Sequence, residues 1–145
     1  MWNLIVLLSV MYSCTYALTE EDVKTELTKL VMKCNSNLEV DMAELKQLQE
    51  FVVPTKTATK CLLACAYKEA QIMTKDGLYN LEHAYKVAEK LKNGDEQRLT
   101  NGKKMADICV KVNDEQVSDG EKGCDRAALI FKCTVDNARK FGFKL

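Results

Sequence analysis

The sequence predicts an all-α fold of about six helices held by disulfide bonds. Apolar residues recur at spacings of three and four over most of the chain, which is the repeat of an amphipathic helix. No stretch alternates between apolar and polar residues for long enough to indicate a strand. Six of the seven cysteines lie in the part of the chain that we expect to be exported, where thiols oxidise in pairs.

The N-terminal segment is predicted to be a signal peptide. Residues 4–8 begin an apolar run that carries no charge and is too short to span a bilayer. The small residues Thr15 and Ala17 indicate cleavage after Ala17, which makes 1–17 the signal peptide and 18–145 the mature domain. The alternative, a buried amphipathic helix, would need polar residues along one face. We therefore expect a secreted, extracellular protein.

Cap signals and apolar faces predict the first two helices. Thr19 followed by Asp22 resembles a capping box. Asp41 with Glu44 gives a second cap signal, and the helix after it should end before Pro54, which disfavours helical geometry at the preceding residue. The predicted apolar face of the first helix comprises Val23, Leu27, Leu30, Val31 and Cys34, and that of the second comprises Met42, Leu45, Leu48 and Val52.

A third and a fourth helix are predicted in the middle of the chain. The third should be closed by the turn pair Asp76 and Gly77, and the fourth should run from about Leu78 to Lys92. The apolar face of the third comprises Ala58, Cys61, Leu62, Cys65, Ile72 and Met73, and that of the fourth comprises Leu81, Ala84, Tyr85, Ala88 and Leu91.

Residues 93–102 are predicted to form the clearest loop, because a glycine follows an asparagine at both ends. A fifth helix should follow this loop, and a sixth should reach about Phe141. The apolar residues of the fifth are Met105, Ile108, Cys109 and Val112, and those of the sixth are Cys124, Ala127, Phe131, Val135 and Ala138.

Length and charge exclude several classes of partner. After removal of the signal peptide about 128 residues remain, which is one ordinary domain with room for a sizeable core. The 21 basic and 21 acidic side chains all lie beyond residue 17 and cancel. We therefore expect no binding to nucleic acid and no insertion into a membrane after signal removal.

Helix geometry restricts how the six cysteines can pair once Cys14 leaves with the signal peptide. Cys61 and Cys65 stand at i and i+4, with Cβ atoms about 6 Å apart, whereas a disulfide needs about 4 Å. Cys124 and Cys133 are separated by a helical rise of about 13 Å, so they too need other partners. These exclusions leave ten of the fifteen possible pairings open, and in each of them the third helix is joined to two other parts of the chain.

A metal site is not expected. Three residues separate Cys61 from Cys65 where a zinc knuckle usually has two, and His83 is the single histidine. We expect no metal and no cofactor.

The cysteine spacing resembles that of insect pheromone-binding and general odorant-binding proteins. The six cysteines are Cys34, Cys61, Cys65, Cys109, Cys124 and Cys133, separated by 26, 3, 43, 14 and 8 residues. The gaps of three and eight are the fixed features of that signature, and the match runs from the first helix to Phe141. The resemblance implies six helices around an apolar cavity. It also implies three interlocked disulfides, which pair Cys34 with Cys65, Cys61 with Cys124, and Cys109 with Cys133.

The resemblance further implies a soluble carrier without catalytic activity. Such a protein binds odorants, pheromones or other small lipophiles reversibly and carries them through aqueous lymph to chemoreceptors, so an olfactory receptor would be an indirect partner. Apolar and thioether side chains suit such a cavity, although each could equally be plain core. The candidate ligand-binding residues are Leu62, Ala66, Ile72, Met73, Leu78, Ala84, Ala88, Met105, Ile108, Phe131, Val135 and Phe143.

Some polar and terminal residues near this set have two interpretations. Tyr67, Tyr79 and Tyr85 could present a hydroxyl to an oxygen of the ligand or to water. His83 is expected to be a solvated or packed side chain and not a pH switch. We expect the C-terminal tail to pack against the domain, because Phe141, Phe143 and Leu145 are apolar and Gly142 lets the chain turn back. The alternative is a frayed terminus.

No catalytic constellation occurs in the sequence. One histidine excludes a metal triad and the His-Asp arrangement of secreted phospholipases, and there is no P-loop, dinucleotide turn or nucleophile elbow. The remaining alternative is a secreted, disulfide-rich helical signalling or venom protein that acts through its surface. Such a protein should have a filled core and an exposed apolar patch, and a carrier should have the reverse.

Overall fold

The computed structural model describes residues 19–36, 38, 40 and 42–144. The predicted signal peptide and the predicted cap Asp41 lie outside the described residues. The described part contains six α-helices and no strand, and its only β-type pairing is an isolated antiparallel bridge between Met73 and Tyr79. The prediction of an all-α fold is confirmed.

Three short 3-10 helices accompany the six α-helices. One extends α5, one precedes α6 and one extends α6. The elements in chain order are α1 (Glu20–Asn35), α2 (Met42–Gln49), α3 (Thr57–Glu69), α4 (Leu81–Leu91), α5 (Glu96–Cys109), the 3-10 helices Val110–Asp114 and Gly120–Lys122, α6 (Cys124–Ala138) and the 3-10 helix Arg139–Phe141.

The predicted capping box opens α1. The Thr19 hydroxyl accepts a hydrogen bond from the backbone N–H of Asp22, and the Asp22 carboxylate accepts one from the backbone N–H of Thr19. These bonds satisfy two of the donors that a helix start leaves without partners.

α2 and α3 end earlier than predicted. α2 stops at Gln49 because Phe51 adopts a left-handed backbone with φ 61°, and Val52 donates its N–H back to the Gln47 carbonyl, as in a Schellman ending. Val52 is consequently exposed. α3 stops at Glu69 because Gln71 takes φ 59°.

The predicted faces of these two helices need correction as well. Met42, placed on the buried face of α2, is 72% exposed. Ile72 and Met73 lie in the connection after α3, although both still pack in the core.

α4 and α5 also differ from prediction. α4 begins at Leu81 and not Leu78, because the Asn80 side chain caps it by accepting from the His83 N–H. The predicted loop 93–102 is wrong, since α5 begins at Glu96 behind the cap residue Asp95. The second Asn-Gly pair of that segment, Asn101 and Gly102, lies inside α5.

The helices form two groups. α3 packs against α1 and α6, while α4 and α5 pack against each other as a hairpin whose second helix also contacts α6. The main hydrophobic core draws on α1, α2, α3, α6 and the connecting segments, with Leu62, Leu63, Met73 and Ile130 almost fully buried. Within the described chain, no residue of α4 or α5 belongs to that core.

Three disulfides brace these groups. They join α1 to α3 (Cys34–Cys65), α3 to α6 (Cys61–Cys124) and α5 to α6 (Cys109–Cys133), with Cα–Cα distances of 6.0, 4.3 and 5.7 Å. This is the pairing that the family resemblance implied. α3 is thus joined to two other helices, as the geometry of its two cysteines required.

Candidate ligand-binding site

The apolar stripe of α4 is only partly covered. Leu81, Ala84, Ala88 and Leu91 recur at helical spacing, yet Ala88 is the single buried residue of this helix. A helix that packs against a filled core buries such a stripe along most of its length. Most of the apolar face of α4 is therefore incompletely covered, and α5 is the helix that it packs against.

The twelve candidate residues come from both groups of helices. Those on α3, on α6 and in the connection after α3 belong to the core group, and those on α4 and α5 belong to the hairpin. The buried members are Leu62, Ala66, Met73, Ala88 and Phe131, and the half-buried members are Ile72, Ala84, Met105, Val135 and Phe143.

Two of the candidates lie at the surface. Leu78 is 41% exposed, in the turn that precedes the cap of α4, and Ile108 is 40% exposed, in the last turn of α5. The neighbouring Cys109 is almost fully buried, so Ile108 stands on the outer side of that turn. Their apolar character alone grouped these residues with enclosed ones.

Two hollows among the described residues lie away from the candidate set. A small one of about 40 Å³ lies between α2 and the start of α3, where Glu44 and Leu48 help to line it. An open groove of about 490 Å³ runs between the α2–α3 connection and α6, beside Val53, Lys60 and Leu129. Neither hollow is lined by any of the twelve candidates.

Three tyrosines differ in what their hydroxyls contact. The Tyr85 hydroxyl donates to the Asp107 carboxylate. Tyr67 is 5% exposed and belongs to the core, and Tyr79 packs against it. Among the described residues no hydrogen bond to the hydroxyl of Tyr67 or of Tyr79 is found, and neither hydroxyl is a fully enclosed atom left without a partner.

Burial keeps these phenols neutral. It raises the pKa of Tyr67 well above its ordinary value, with a further contribution from Tyr79. It also raises the pKa of Tyr79 to about 12, with smaller contributions from Asp107 and Tyr85. Both hydroxyls therefore carry a proton that they can donate at any physiological pH.

Asn113 fixes the backbone of Tyr79. Its side-chain oxygen accepts from the Tyr79 N–H at 2.7 Å, and its side-chain nitrogen donates to the Tyr79 carbonyl at 3.1 Å. This pair fastens the connection between α3 and α4 to the 3-10 helix that follows α5.

The C-terminal tail lies against α5, as expected. Gly142 turns the chain with φ 81°, and the Asn101 side chain donates to the Phe141 carbonyl at 3.2 Å. The half-buried Phe143 ring stacks under the Arg98 guanidinium, 5.1 Å from its centroid.

Charge chemistry in the described part is limited. Burial, with help from Lys90 and Lys86, lowers the pKa of His83, so this imidazole is neutral at pH 7. No group of His, Cys, Asp and Glu among the described residues could hold a metal ion. Within the same ranges, no helix is long and apolar enough to cross a membrane.

The helices and disulfides together define a small, covalently braced all-α binding protein. The chain belongs to the PBP/GOBP family, the insect pheromone-binding and general odorant-binding proteins, whose family model matches residues 16–137. Members of this family are binding proteins and not enzymes, and the same holds for this chain.

Two relatives from Drosophila melanogaster illustrate the match. General odorant-binding protein 19d is 27% identical over 126 residues, which cover 87% of this chain and 81% of that protein. The solved structure of odorant-binding protein dmelOBP28a superposes with a TM-score of 0.67 at 20% identity, and the match covers 86% of this chain and 98% of that one. The structural likeness shows a shared fold.

Proposed function

We propose that this protein is a secreted carrier that binds a small hydrophobic ligand reversibly between the α4–α5 hairpin and the main core. It would carry the ligand through aqueous lymph to chemoreceptors. The observation that supports this most is the apolar stripe of α4, of which Ala88 alone is buried. No described residue of α4 or α5 contributes to the main core.

Apolar burial supplies enough energy for such a role. A lipophile of about twelve carbons buries on the order of 300 Å², which is worth roughly 7 kcal/mol at about 25 cal/mol per Å². Micromolar binding corresponds to about 8 kcal/mol, so apolar contact together with one polar contact accounts for an affinity near that range.

The disulfides support the same interpretation. An incompletely filled interior costs stability in proportion to its volume. Each disulfide contributes about 2–4 kcal/mol, mainly by restricting the unfolded chain, and the three here close separations of 31, 63 and 24 residues. A braced domain of this kind can retain an interior that a self-packed core would have to fill.

Within this proposal the candidate residues take different positions. The ten buried and half-buried ones are proposed to form the walls of the pocket. Leu78 and Ile108 are exposed and suit its mouth better than its interior.

We also propose that residues 1–17 direct secretion and are then removed. The first residue of protein recovered from the medium of expressing insect cells should be Leu18. An N-terminus that still contains the apolar run would contradict this.

Titration with the fluorescent probe N-phenyl-1-naphthylamine tests whether the protein binds a lipophile and where the binding site lies. We expect saturable micromolar binding by the oxidised protein. Ala84→Phe should weaken it by about tenfold or more, because the larger ring occupies the proposed space beside α4.

The matched control is Ala43→Phe, which makes the same change at an exposed position on α2. This variant should bind the probe like the wild type. Equal affinity in all three proteins would exclude the proposed location, and no saturable binding by the folded wild type would exclude the carrier.

The surface-acting alternative has no comparable support. The large exposed apolar residues, Met32, Met42, Val52, Leu78 and Ile108, are distributed over five different segments of the chain. Family membership favours the carrier.

A further inference from the structure

The two Asn-Gly pairs of the chain lie in very different surroundings. Asn93 and Gly94 belong to the turn between α4 and α5, and both are exposed. Asn101 and Gly102 lie inside α5, where Asn101 is half-buried and Gly102 is buried. The same dipeptide therefore occurs once in an open turn and once in a packed helix.

An Asn-Gly pair is able to modify itself in water. The backbone nitrogen of glycine attacks Cγ of the asparagine side chain, because no glycine side chain hinders the approach. A bond from this nitrogen to Cγ forms and the bond from Cγ to Nδ2 breaks. The N–H proton passes to solvent, and ammonia leaves with a proton from solvent. Water then opens the succinimide ring, which gives aspartate when the bond from nitrogen to Cγ breaks and isoaspartate when the bond to the backbone carbonyl carbon breaks.

The turn at Asn93 meets the requirements of this reaction. Within the described chain no hydrogen bond is found for the Asn93 side chain or for the Gly94 N–H that has to attack. Apart from its chain neighbours, no heavy atom lies within 4 Å of a Cβ atom added at Gly94. Both residues have a left-handed backbone, with φ 49° and 79°, and lie outside the two helices. The two reacting groups are therefore free to approach each other, and water has access to the ring.

The pair inside α5 does not meet these requirements. The Asn101 side chain accepts from the Gln97 side chain at 3.0 Å and donates to the Phe141 carbonyl at 3.2 Å. A Cβ atom added at Gly102 would lie 2.9 Å from the Cβ of Ala88, so this backbone is enclosed. The Gly102 N–H also lies in the interior of a helix, which has to open before this nitrogen is able to attack.

We propose that Asn93 is a site of spontaneous deamidation and isoaspartate formation in the folded protein, and that α5 protects Asn101 from the same reaction. Water is the only molecule consumed and ammonia the only one released, so no enzyme and no cofactor is needed. The modified fraction consequently increases with the age of the molecule. This site is independent of any ligand that the protein carries.

The modification alters the turn that joins the two helices of the hairpin. Aspartate adds one negative charge, and isoaspartate also lengthens the backbone by one carbon atom. The turn is tight, because the Asp95 N–H donates to the Lys92 carbonyl at 2.8 Å and the Asp95 side chain caps α5. The Arg98 side chain also donates to the Leu91 carbonyl across it. We expect isoaspartate to disrupt the start of α5, whereas aspartate leaves the path of the backbone unchanged.

Peptide mapping by mass spectrometry tests the proposal at both sites at once. The oxidised protein is incubated at pH 7.5 and about 37 °C for several weeks, and samples are digested with trypsin at mildly acidic pH, which slows further deamidation. Cleavage after Arg98 places Asn93 and Asn101 on different peptides. Reduced protein in concentrated urea is the matched control, because neither site is folded there.

In the folded protein we expect Asn93 to deamidate at least about tenfold faster than Asn101, because the cost of opening a packed helix slows the second reaction. In urea the two sites should react at similar rates. Fragmentation that distinguishes isoaspartate from aspartate should find both at position 93. No product at Asn93, equal rates at the two sites of the folded protein, or the same ratio in urea as in buffer would overturn the proposal.

A second measurement tests the effect on the hairpin. The deamidated fraction of the aged protein is separated by ion exchange and compared with the Asn93→Asp variant, which carries the same charge on a normal backbone. Amide hydrogen exchange in the first turn of α5 should be faster in the aged fraction. Equal exchange in the two proteins would show that isoaspartate leaves the hairpin intact and would overturn this consequence.

Discussion

Gly102 determines how closely α4 approaches α5. A Cβ atom added at this position would lie 2.9 Å from the Cβ of Ala88, which is closer than real methyl groups approach. The Asn-Gly pair led to the wrong prediction of a loop here. The sequence gives no sign that another helix lies against the backbone of this glycine. Tertiary contact, and not local turn preference, explains this glycine.

Gly102→Ala should therefore destabilise the protein, although alanine is the better helix former. The helical preference favours alanine by about 1 kcal/mol, whereas overpacking against a side chain fixed to a helix backbone costs about 1–3 kcal/mol. We expect a net loss of up to about 2 kcal/mol in the free energy of unfolding, measured by urea denaturation.

The double variant Gly102→Ala with Ala88→Gly serves as the control. It removes the methyl group that the new one would meet, so the two changes together should cost less than the sum of their separate effects. Stabilisation by Gly102→Ala alone would show that α4 and α5 have room to move apart.

Single residues also show what local sequence could predict. The capping box of Thr19 and Asp22 was predictable because both partners lie within one turn. The endings of α2 and α3 were not, because Phe51 and Gln71 take left-handed backbones that glycine or asparagine would normally signal.

Among the elements, the α4–α5 hairpin is the least integrated with the core. It is linked to the rest of the chain by the packing of α5 against α6, the Cys109–Cys133 disulfide, the Asn113–Tyr79 pair and the contacts of the tail with α5. The sequence predicted both helices but not that they would form a hairpin outside the main core. The apolar spacing of α4 indicates which face is buried and does not indicate how completely.

Removing the Cys109–Cys133 disulfide should loosen the hairpin selectively. For a closed loop of this length, the double change to serine should cost about 3–4 kcal/mol. Amide hydrogen exchange, followed by mass spectrometry, should accelerate more in α4 and α5 than in α1 and α3, because this disulfide is the covalent tie of the hairpin.

The corresponding double change at Cys34 and Cys65 is the matched comparison. It should accelerate exchange mainly in α1, which that bond joins to α3. Equal acceleration throughout the chain in both variants would mean that the hairpin and the core unfold as one unit.

For the molecule as a whole, the sequence was most informative about connectivity. The periodicity predicted an all-α fold, and the spacing of the cysteines on their helices excluded pairings that the structure indeed lacks. The sequence did not predict which apolar residues lie in the core, in the proposed pocket wall or at the surface. Leu62 and Leu78 look alike in sequence, but one is fully buried and the other is 41% exposed.

This limit has a physical origin. Whether an apolar side chain meets protein, ligand or water depends on how helices distant in sequence come together, and helical spacing fixes only the direction of the face. The open groove beside Val53 and Leu129 is an example, because no sequence pattern marked it. This groove offers a ligand an open surface site outside the pocket proposed above.

Nuclear magnetic resonance would locate a ligand directly. Backbone amide shifts of the isotopically labelled, oxidised protein would be followed during titration with 1-decanol. If the ligand lies between the hairpin and the core, the largest saturable changes should fall around Ala84, Ala88, Met105 and Phe131. Saturable changes confined to the groove around Val53 and Leu129, or no saturable changes at all, would contradict an internal carrier site.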